Sequence, residues 1–379
     1  MNESVAALFR GSARGIAELT AGQHGLKPRR LASRYAMYHD TDPLTQKVAD
    51  QPSGARISLQ CNGAWIRLTY RALFDATADG SYDSAPSTVV LTHGDLEVAQ
   101  AHSNGDRRVW SGDQVTAHVT GEDSIALFEI GEAGTAKAVD IWLPHNCEIE
   151  LVDLESDGQL VAREIESPRW VHYGSSISHS LEAEAPTGVW PVFAARKLGL
   201  DLFSLGLAGS ANIEQFAAES IAELPADFIS LKLGINPVNG RNMTRRTFVP
   251  AVHSFLDTVR RSHPETPLLV ISPVYCEVHE DNPGPTLGGP DGRITVGAST
   301  GVDWVGDLTL VSIRALLEES VQRREDANLF YLNGLELFGE NDFHLAPDGL
   351  HPNAHGYRLI GDRFASIYLG KKEWRKREH

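Results

Sequence analysis

Cysteine is scarce in this chain: Cys61, Cys147 and Cys276 are the only three among 379 residues. So few thiols, so dispersed, exclude a disulfide framework and a cysteine-ligated zinc cluster. Long apolar runs are also missing. Nothing approaches the roughly 20 consecutive apolar residues a membrane-crossing helix needs. The opening Met1-Asn2-Glu3-Ser4 carries no basic stretch followed by a long apolar one, so no secretory signal is expected and a cytoplasmic location is.

Positive charge is the third shortage. Lys and Arg number 34 against 50 Asp and Glu, a formal net charge of −16. Nucleic acid and anionic membranes both demand a basic footprint, so neither is expected as a partner. The one dense basic run, Lys371-Lys372-Glu373-Trp374-Arg375-Lys376-Arg377, reads as a solvated helix end. The rest is ordinary globular composition, 42% apolar and 22% charged, which predicts substantial cores. The length suits about two domains of roughly 100–200 residues.

The texture changes near residue 165, which predicts domains at 1–165 and 166–379. In the first part, short alternating apolar runs lie between Gly, Asp, Asn and Ser clusters. They fall at Ala55–Leu59, Ala64–Tyr70, Thr88–Leu91, Arg108–Trp110, Ser124–Ile130, Ala136–Leu143 and Glu148–Leu151. Strands at that spacing predict an all-β jelly roll or sandwich. The first 50 residues, with Arg29, Arg30 and Arg34 around Leu31, read as an irregular lead-in or a cover over the second domain.

After Pro168, strands and helices alternate. Strands are expected at Trp170–Tyr173, Leu202–Leu207, Phe228–Leu233, Leu268–Pro273 and Leu329–Leu332. Helices are expected near Val189–Leu198, Ile213–Leu224, Thr244–Ser262, Leu308–Arg324 and Asn353–Leu369. Pro352 would sit in the first turn of the last helix, with Gly199 and Gly370 as C-terminal caps. Such βα repeats predict a parallel sheet between helices, with ligands outside the carboxyl ends of the strands.

Four short segments fall at those strand ends. Tyr173-Gly174-Ser175-Ser176-Ile177-Ser178 follows the first strand and Gly206-Leu207-Ala208-Gly209-Ser210 the second. Leu233-Gly234-Ile235-Asn236 follows the third, and Asp348-Gly349-Leu350-His351-Pro352 lies in the loop after the fifth. A serine on a tight turn, with a histidine three residues after an aspartate, supplies what nucleophilic acyl transfer needs. The hydroxyl is inert at neutral pH without a base, and the base needs an acid to fix its tautomer. Each segment alone has a plainer reading: Gly-Ser-Ser and Gly-x-Asn are common turns, Asp348 a turn residue, His351 a loop histidine. Their order and shared sheet edge favour the catalytic one.

Over about residues 168–370 these blocks resemble the SGNH hydrolases, the GDSL-type esterase and lipase superfamily. Gly174-Ser175-Ser176-Ile177 is similar to the family's first block, with Ser175 for its usual aspartate. Gly209 matches the second block's glycine. Gly234-Ile235-Asn236-Pro237 matches the third block, with Pro237 for its aspartate, and Asp348-Gly349-Leu350-His351 the fifth. The resemblance implies a flavodoxin-like α/β sheet, Ser176 as nucleophile, His351 as base and Asp348 as acid. It also implies an oxyanion hole from the backbone N–H of Ser176 and Gly209 and the Asn236 amide. No Gly-x-Ser-x-Gly elbow surrounds Ser176, which separates it from the α/β-hydrolase pattern.

No metal and no cofactor are expected. His344, His351 and His355 could be read as a metal triplet, but the other blocks would then lack an explanation. Cys276 reads as a buried structural thiol. Glu277–Gly301 is the longest irregular stretch, expected to overhang the site as a rim, lid or subunit contact. Its His279 and Glu280 would then reach substrate. The implied activity is ester hydrolysis, with a short acyl group on a sugar or other small molecule as the leading substrate. A lipase or lysophospholipase, an acyltransferase, and a non-catalytic carbohydrate- or partner-binding protein are the alternatives. A homo-oligomer is left open by the sequence.

Overall fold

The computed structural model describes residues 1–38, 42–112, 114–289, 291–297 and 306–375. The chain divides into two compact units, Met1–Glu166 with Ala185–Thr187, and Ser167–Glu184 with Gly188–His379.

The first unit is a β-sandwich. One sheet runs in the order Ala13–Arg14, Arg56–Cys61, Lys137–Trp142, Ser87–His93, Leu96–His102, with Leu160–Ala162 also on Arg56–Cys61. The other runs Glu18–Ala21, Leu26–Arg29, Glu148–Ser156, Trp65–Thr77, Asp106–Ser111, Gln114–Val119, with Ser124–Glu129 also on Trp65–Thr77. Alternation decides the faces: Ile66, Leu68, Tyr70, Ala72 and Phe74 point inward from one long strand and meet Ile57, Leu59, Val89, Leu91 and Ile141 of the other sheet. Leu96–His102 and Gln114–Val119 have no buried residue, so no apolar alternation announces them in the sequence.

The first 50 residues are more regular than expected and belong to this unit. Asn2 caps a helix over Glu3–Ser12, accepting the Val5 N–H, and Asp42 caps a second helix over Pro43–Asp50. Glu18–Ala21 and Leu26–Arg29 form a hairpin that joins the second sheet. Arg30 is fully buried, its guanidinium donating to the carbonyls of Val48 and Gln51, and Arg29 pairs with Asp50.

The second unit is the doubly wound α/β fold. Its five parallel strands are, in chain order, Arg169–Gly174, Asp201–Gly206, Phe228–Lys232, Leu268–Ile271 and Leu329–Leu332. They lie in the spatial order 2-1-3-4-5. The second, third and fourth strands are buried at every residue, as a sheet covered on both faces requires. Because the first strand lies between the second and the third, the loops after all three gather at the switch point of the sheet.

Helices cover the sheet at Trp190–Leu198, Gln215–Glu223, Arg245–Ser262, Leu310–Gln322 and Ala354–Gly370. Gly199 does cap its helix in a left-handed conformation, φ 67°. Gly370 does not, since the last helix runs through it and Lys371 follows. The terminal basic run is solvated as expected at Lys371, Lys372 and Arg375, with Trp374 the exception. Trp374 is buried, its ring 6.3 Å from that of Phe228 and 6.4 Å from those of Phe330 and Tyr368, while Lys376 and Arg377 lie outside the described residues. No helix among the described residues is long and apolar enough to cross a membrane.

Candidate active site

The turn that carries Ser176 is built by the end of the first strand. Gly174 closes the strand, Ser175 is extended, and Ser176 begins a single helical turn, Ser176–His179. That turn presses onto the sheet edge at two glycines that pair in register, Gly174 and Gly206. A Cβ on Gly174 would lie 2.2 Å from Ser178 Oγ, and one on Gly206 2.5 Å from the His179 backbone nitrogen. Only glycine lets the turn sit this low.

Beneath it, His172 Nε2 is 2.8 Å from Ser178 Oγ and His172 Nδ1 is 2.7 Å from Ser230 Oγ, which also accepts the Trp170 indole N–H at 2.8 Å. Burial, reinforced by the nearby Lys232, pushes His172 down to about 3. It is a neutral strut that pins the turn from below.

His351 and Asp348 come from one local segment. Asp348 Oδ1 accepts the backbone N–H of Leu350 at 2.8 Å and of His351 at 2.7 Å, folding the chain back on itself. The other oxygen, Oδ2, then accepts from His351 Nδ1 at 2.7 Å. With the proton on Nδ1, Nε2 carries the lone pair, and it stands 3.0 Å from Ser176 Oγ. His351 precedes the last helix instead of opening it. Asn353 is the N-cap, accepting the Gly356 N–H at 3.0 Å, so Pro352 lies ahead of the cap and not in the first turn.

The electrostatics follow from these bonds. Burial alone would raise the Asp348 carboxyl, but the His351 ring N–H and two backbone N–H groups outweigh it and bring it down to about 2. Burial alone would lower His351, yet the Asp348 hydrogen bond and the charges of Glu182 and Asp348 leave it above its ordinary value. An ionised acid, an imidazole that accepts readily and a serine hydroxyl on its lone pair can together carry out proton-coupled attack on a carbonyl.

Gly209 and Asn236 flank the same edge. Gly209 is exposed in the turn after the second strand with φ 71°, a backbone conformation that costs a side-chain-bearing residue energy. Asn236 is buried in the short helix Ile235–Asn239, and its Oδ1 accepts the Ala211 N–H at 2.9 Å. That bond ties the Gly209 loop to the third strand's loop and orients the amide, leaving its N–H₂ end as the donor. Pro237 is accommodated because the first N–H groups of a helix have no partner within it.

His279 and Glu280 each have partners within the chain. His279 is fully buried, with Nε2 2.7 Å from Thr286 Oγ1 and Nδ1 3.3 Å from the Asn282 carbonyl. Glu280 forms a two-point ion pair with Arg314 at 2.6 and 2.7 Å and accepts the Cys276 N–H. Both brace the start of the long loop.

Contact with the acid segment comes later in that loop. Ile294 N–H donates to the Asp348 carbonyl at 2.8 Å, and a Cβ on Gly349 would meet Ile294 Cγ1 at 3.4 Å and Arg293 Nη2 at 3.8 Å. Pro290 and residues 298–301 of the loop lie outside the described residues. Cys276 is buried, donates to the Gly349 carbonyl at 3.3 Å and is pushed up to about 12 by burial, which makes it a structural thiol. His344 and His355 are exposed, and no group of three metal-ligating side chains is assembled among the described residues.

Two residues with no sequence signal complete the surroundings. Glu182 Oε1 is 3.6 Å from His351 Nδ1, and Glu182 Oε2 accepts the hydroxyl of the buried Tyr357 at 2.6 Å. Nothing in the spacing of a glutamate six residues past Ser176 marks it.

Comparison with known proteins bears on the same segment. Residues 168–280 match the profile of the GDSL-like lipase/acylhydrolase family. No curated protein sequence matches the chain. Among solved structures, a salicylyl-acyltransferase from a tetracycline biosynthetic pathway is similar at TM-score 0.77 and 24% identity, covering 96% of each chain. A protein described as a GDSL-like lipase from Bacteroides ovatus reaches TM-score 0.64 at 19% identity, over 95% of each chain. A family two carbohydrate esterase from Clostridium thermocellum, solved in complex with cellohexaose, reaches 0.58 at 14% identity, over 85% of this chain and 94% of its own. At these identities the likeness is one of fold.

Proposed function

We propose that this chain, which carries a GDSL-like lipase/acylhydrolase domain over residues 168–280, is a serine esterase working through an acyl-enzyme on Ser176. The observation that carries the reading is the relay Ser176 Oγ, His351 Nε2, His351 Nδ1, Asp348 Oδ2, closed by contacts of 3.0 and 2.7 Å.

In the first step Ser176 Oγ attacks the acyl carbonyl while its proton passes to His351 Nε2. The imidazolium so formed is stabilised by the ionised Asp348. The carbonyl electrons move onto oxygen, and that oxyanion is met by the N–H groups of Ser176 and Gly209 and the Asn236 amide. Collapse expels the alcohol, which takes the proton from His351. Water then enters by the same route: His351 removes its proton, the acyl group leaves as the acid, and Ser176 is restored.

A short acyl group on a sugar is the leading substrate, supported by the fold likeness to a carbohydrate esterase with a bound oligosaccharide. Acyl transfer to an acceptor other than water is the second reading. It is favoured by the fold likeness to an acyltransferase over 96% of both chains. The two share the acyl-enzyme and differ only in what attacks it.

Turnover of p-nitrophenyl acetate by wild type beside Ser176→Ala tests the first claim, and equal slow rates would remove it. Product analysis with added sugars or alcohols separates hydrolysis from transfer.

A further inference from the structure

We propose that Glu182 is a second carboxylate on His351, a positioning residue that shares with Asp348 the holding of the imidazole and its positive charge. The inference rests on the reading of Ser176 and His351 as nucleophile and base.

The chain delivers Glu182 by a specific turn. The single helical turn that begins at Ser176 ends at Ser180, which is left-handed at φ 57° and ψ 53°, with its N–H on the Ser176 carbonyl at 2.7 Å. A left-handed serine is an uncommon and costly conformation. Here the Ser180 hydroxyl donates to the Ile177 carbonyl at 3.0 Å, and the Ala183 N–H returns to the Ser180 carbonyl at 3.0 Å. The reversal carries Glu182 back to the histidine's Nδ1 side. There Oε1 stands 3.6 Å from Nδ1, behind the 2.7 Å contact of Asp348.

Tyr357 fixes the other carboxylate oxygen. It is fully buried on the first turns of the last helix, and its hydroxyl donates to Glu182 Oε2 at 2.6 Å. Burial and the charge of Glu182 hold that phenol far above its ordinary value, so it stays a neutral donor. A carboxylate held at one oxygen and offering the other to an imidazole is a preorganised charge.

The remaining groups around His351 decide the sign. Asp348 and Glu182 are the two anions against it. The Cys276 thiol behind Gly349 is neutral, and Arg293 stands exposed beside Gly349 as a cation. Glu184 faces Arg358, the residue after Tyr357 on the last helix, at 3.4 Å. Glu182 therefore favours imidazolium, both in the resting protein and during attack. Its side chain is 39% exposed and that of His351 21% exposed, so solvent reduces the effect without abolishing it.

The alternative is that Glu182 only satisfies the buried Tyr357 hydroxyl. Glu182→Gln and Tyr357→Phe in the full chain separate the two roles through the pH profile of kcat/KM for p-nitrophenyl acetate. Glu182→Gln keeps an acceptor oxygen for the phenol but removes the charge. The acidic limb should move to lower pH by about half a unit to one unit, below the 1–3 units that an adjacent opposite charge produces in less exposed sites. Plateau kcat should fall about three- to tenfold. Tyr357→Phe should lower the melting temperature and leave the limb within about 0.2 units of wild type.

An unmoved limb in Glu182→Gln, or equal shifts in both variants, overturns the proposal. Fluorophosphonate labelling of the same samples keeps the two claims apart. Label on Ser176 with an unmoved limb removes the role of Glu182 alone. No label on Ser176 in wild type removes the reading on which that role rests.

Discussion

Ser176 and His351 lie 175 residues apart in the chain and 3.0 Å apart in space. Two separate devices hold each side of that contact. On one, paired glycines and the buried His172 seat the serine's turn. On the other, Asp348 folds its own loop and orients the imidazole with the oxygen left over.

The acidic limb of kcat/KM should lie above the ordinary histidine value. The sign follows from the proton transfer: His351 can take the Ser176 proton only when neutral, and the bonds and charges around it raise the pH at which it loses its own. Activity should be lost as pH falls through that raised value. Asp348, held at about 2, stays ionised throughout and adds no second limb above pH 3. A limb below pH 6 in wild type would contradict this.

Asn236→Ala should lower kcat by about 10²–10³-fold, the usual loss for one oxyanion donor of about 2.7–4 kcal/mol, with KM little changed. It also removes the acceptor of the Ala211 N–H, so a modest drop in melting temperature should accompany the kinetic effect. Steady-state kinetics and a thermal melt measure both. A KM effect with kcat intact would reassign Asn236 to ground-state binding.

Gly206→Ala places a Cβ 2.5 Å from the backbone of the Ser176 turn, which no side-chain rotation relieves. Overpacking of this kind costs about 1–3 kcal/mol. The variant should melt lower and lose kcat together, because the turn that yields is the one bearing the nucleophile. Wild-type kinetics in a folded Gly206→Ala would show that the seating of the turn is not what aligns Ser176.

Lys232, 2% exposed at the end of the third strand, has no hydrogen-bond partner for its amine among the described residues; burial, with the charge of Arg314 behind it, brings it down to about 7. A lysine whose folded value lies below its free value of 10.5 costs stability as pH falls from 10.5 to about 7, and the cost then levels off. Lys232→Met should therefore raise the melting temperature, by more at pH 6 than at pH 9. For a domain this size each kcal/mol is worth about 2–4 °C. An equal or inverted gain at the two pH values would contradict it.

Much of the second unit was legible because its signals are local. Apolar runs such as Phe228–Lys232 are buried throughout, so they stand out as strands, and the strand-end segments mark where chemistry gathers. Ser176, Asp348 and His351 stand in short contiguous motifs. Glu182 does not, because its place depends on a left-handed Ser180 and on Tyr357 from the far end of the chain.

The same logic applies to the long loop. His279 and Glu280 look like site residues by position, but each had a tertiary partner, Thr286 and Arg314, that spacing could not reveal. In the first unit, edge strands with neither face buried carry no alternation to read. Trp374 looked solvated because its neighbours are basic, while the aromatic cluster that buries it comes from strands and a helix elsewhere.

The proposed chemistry passes through a covalent acyl-enzyme on one serine. Brief incubation with p-nitrophenyl acetate, acid quenching and peptide mapping by mass spectrometry test it most directly. A single acetyl group is expected on the peptide containing Ser176, at the side chain of Ser176 itself, and absent from Ser176→Ala. Acetyl on Ser175 or Ser178, or turnover without any adduct that survives in Ser176→Ala, would contradict it.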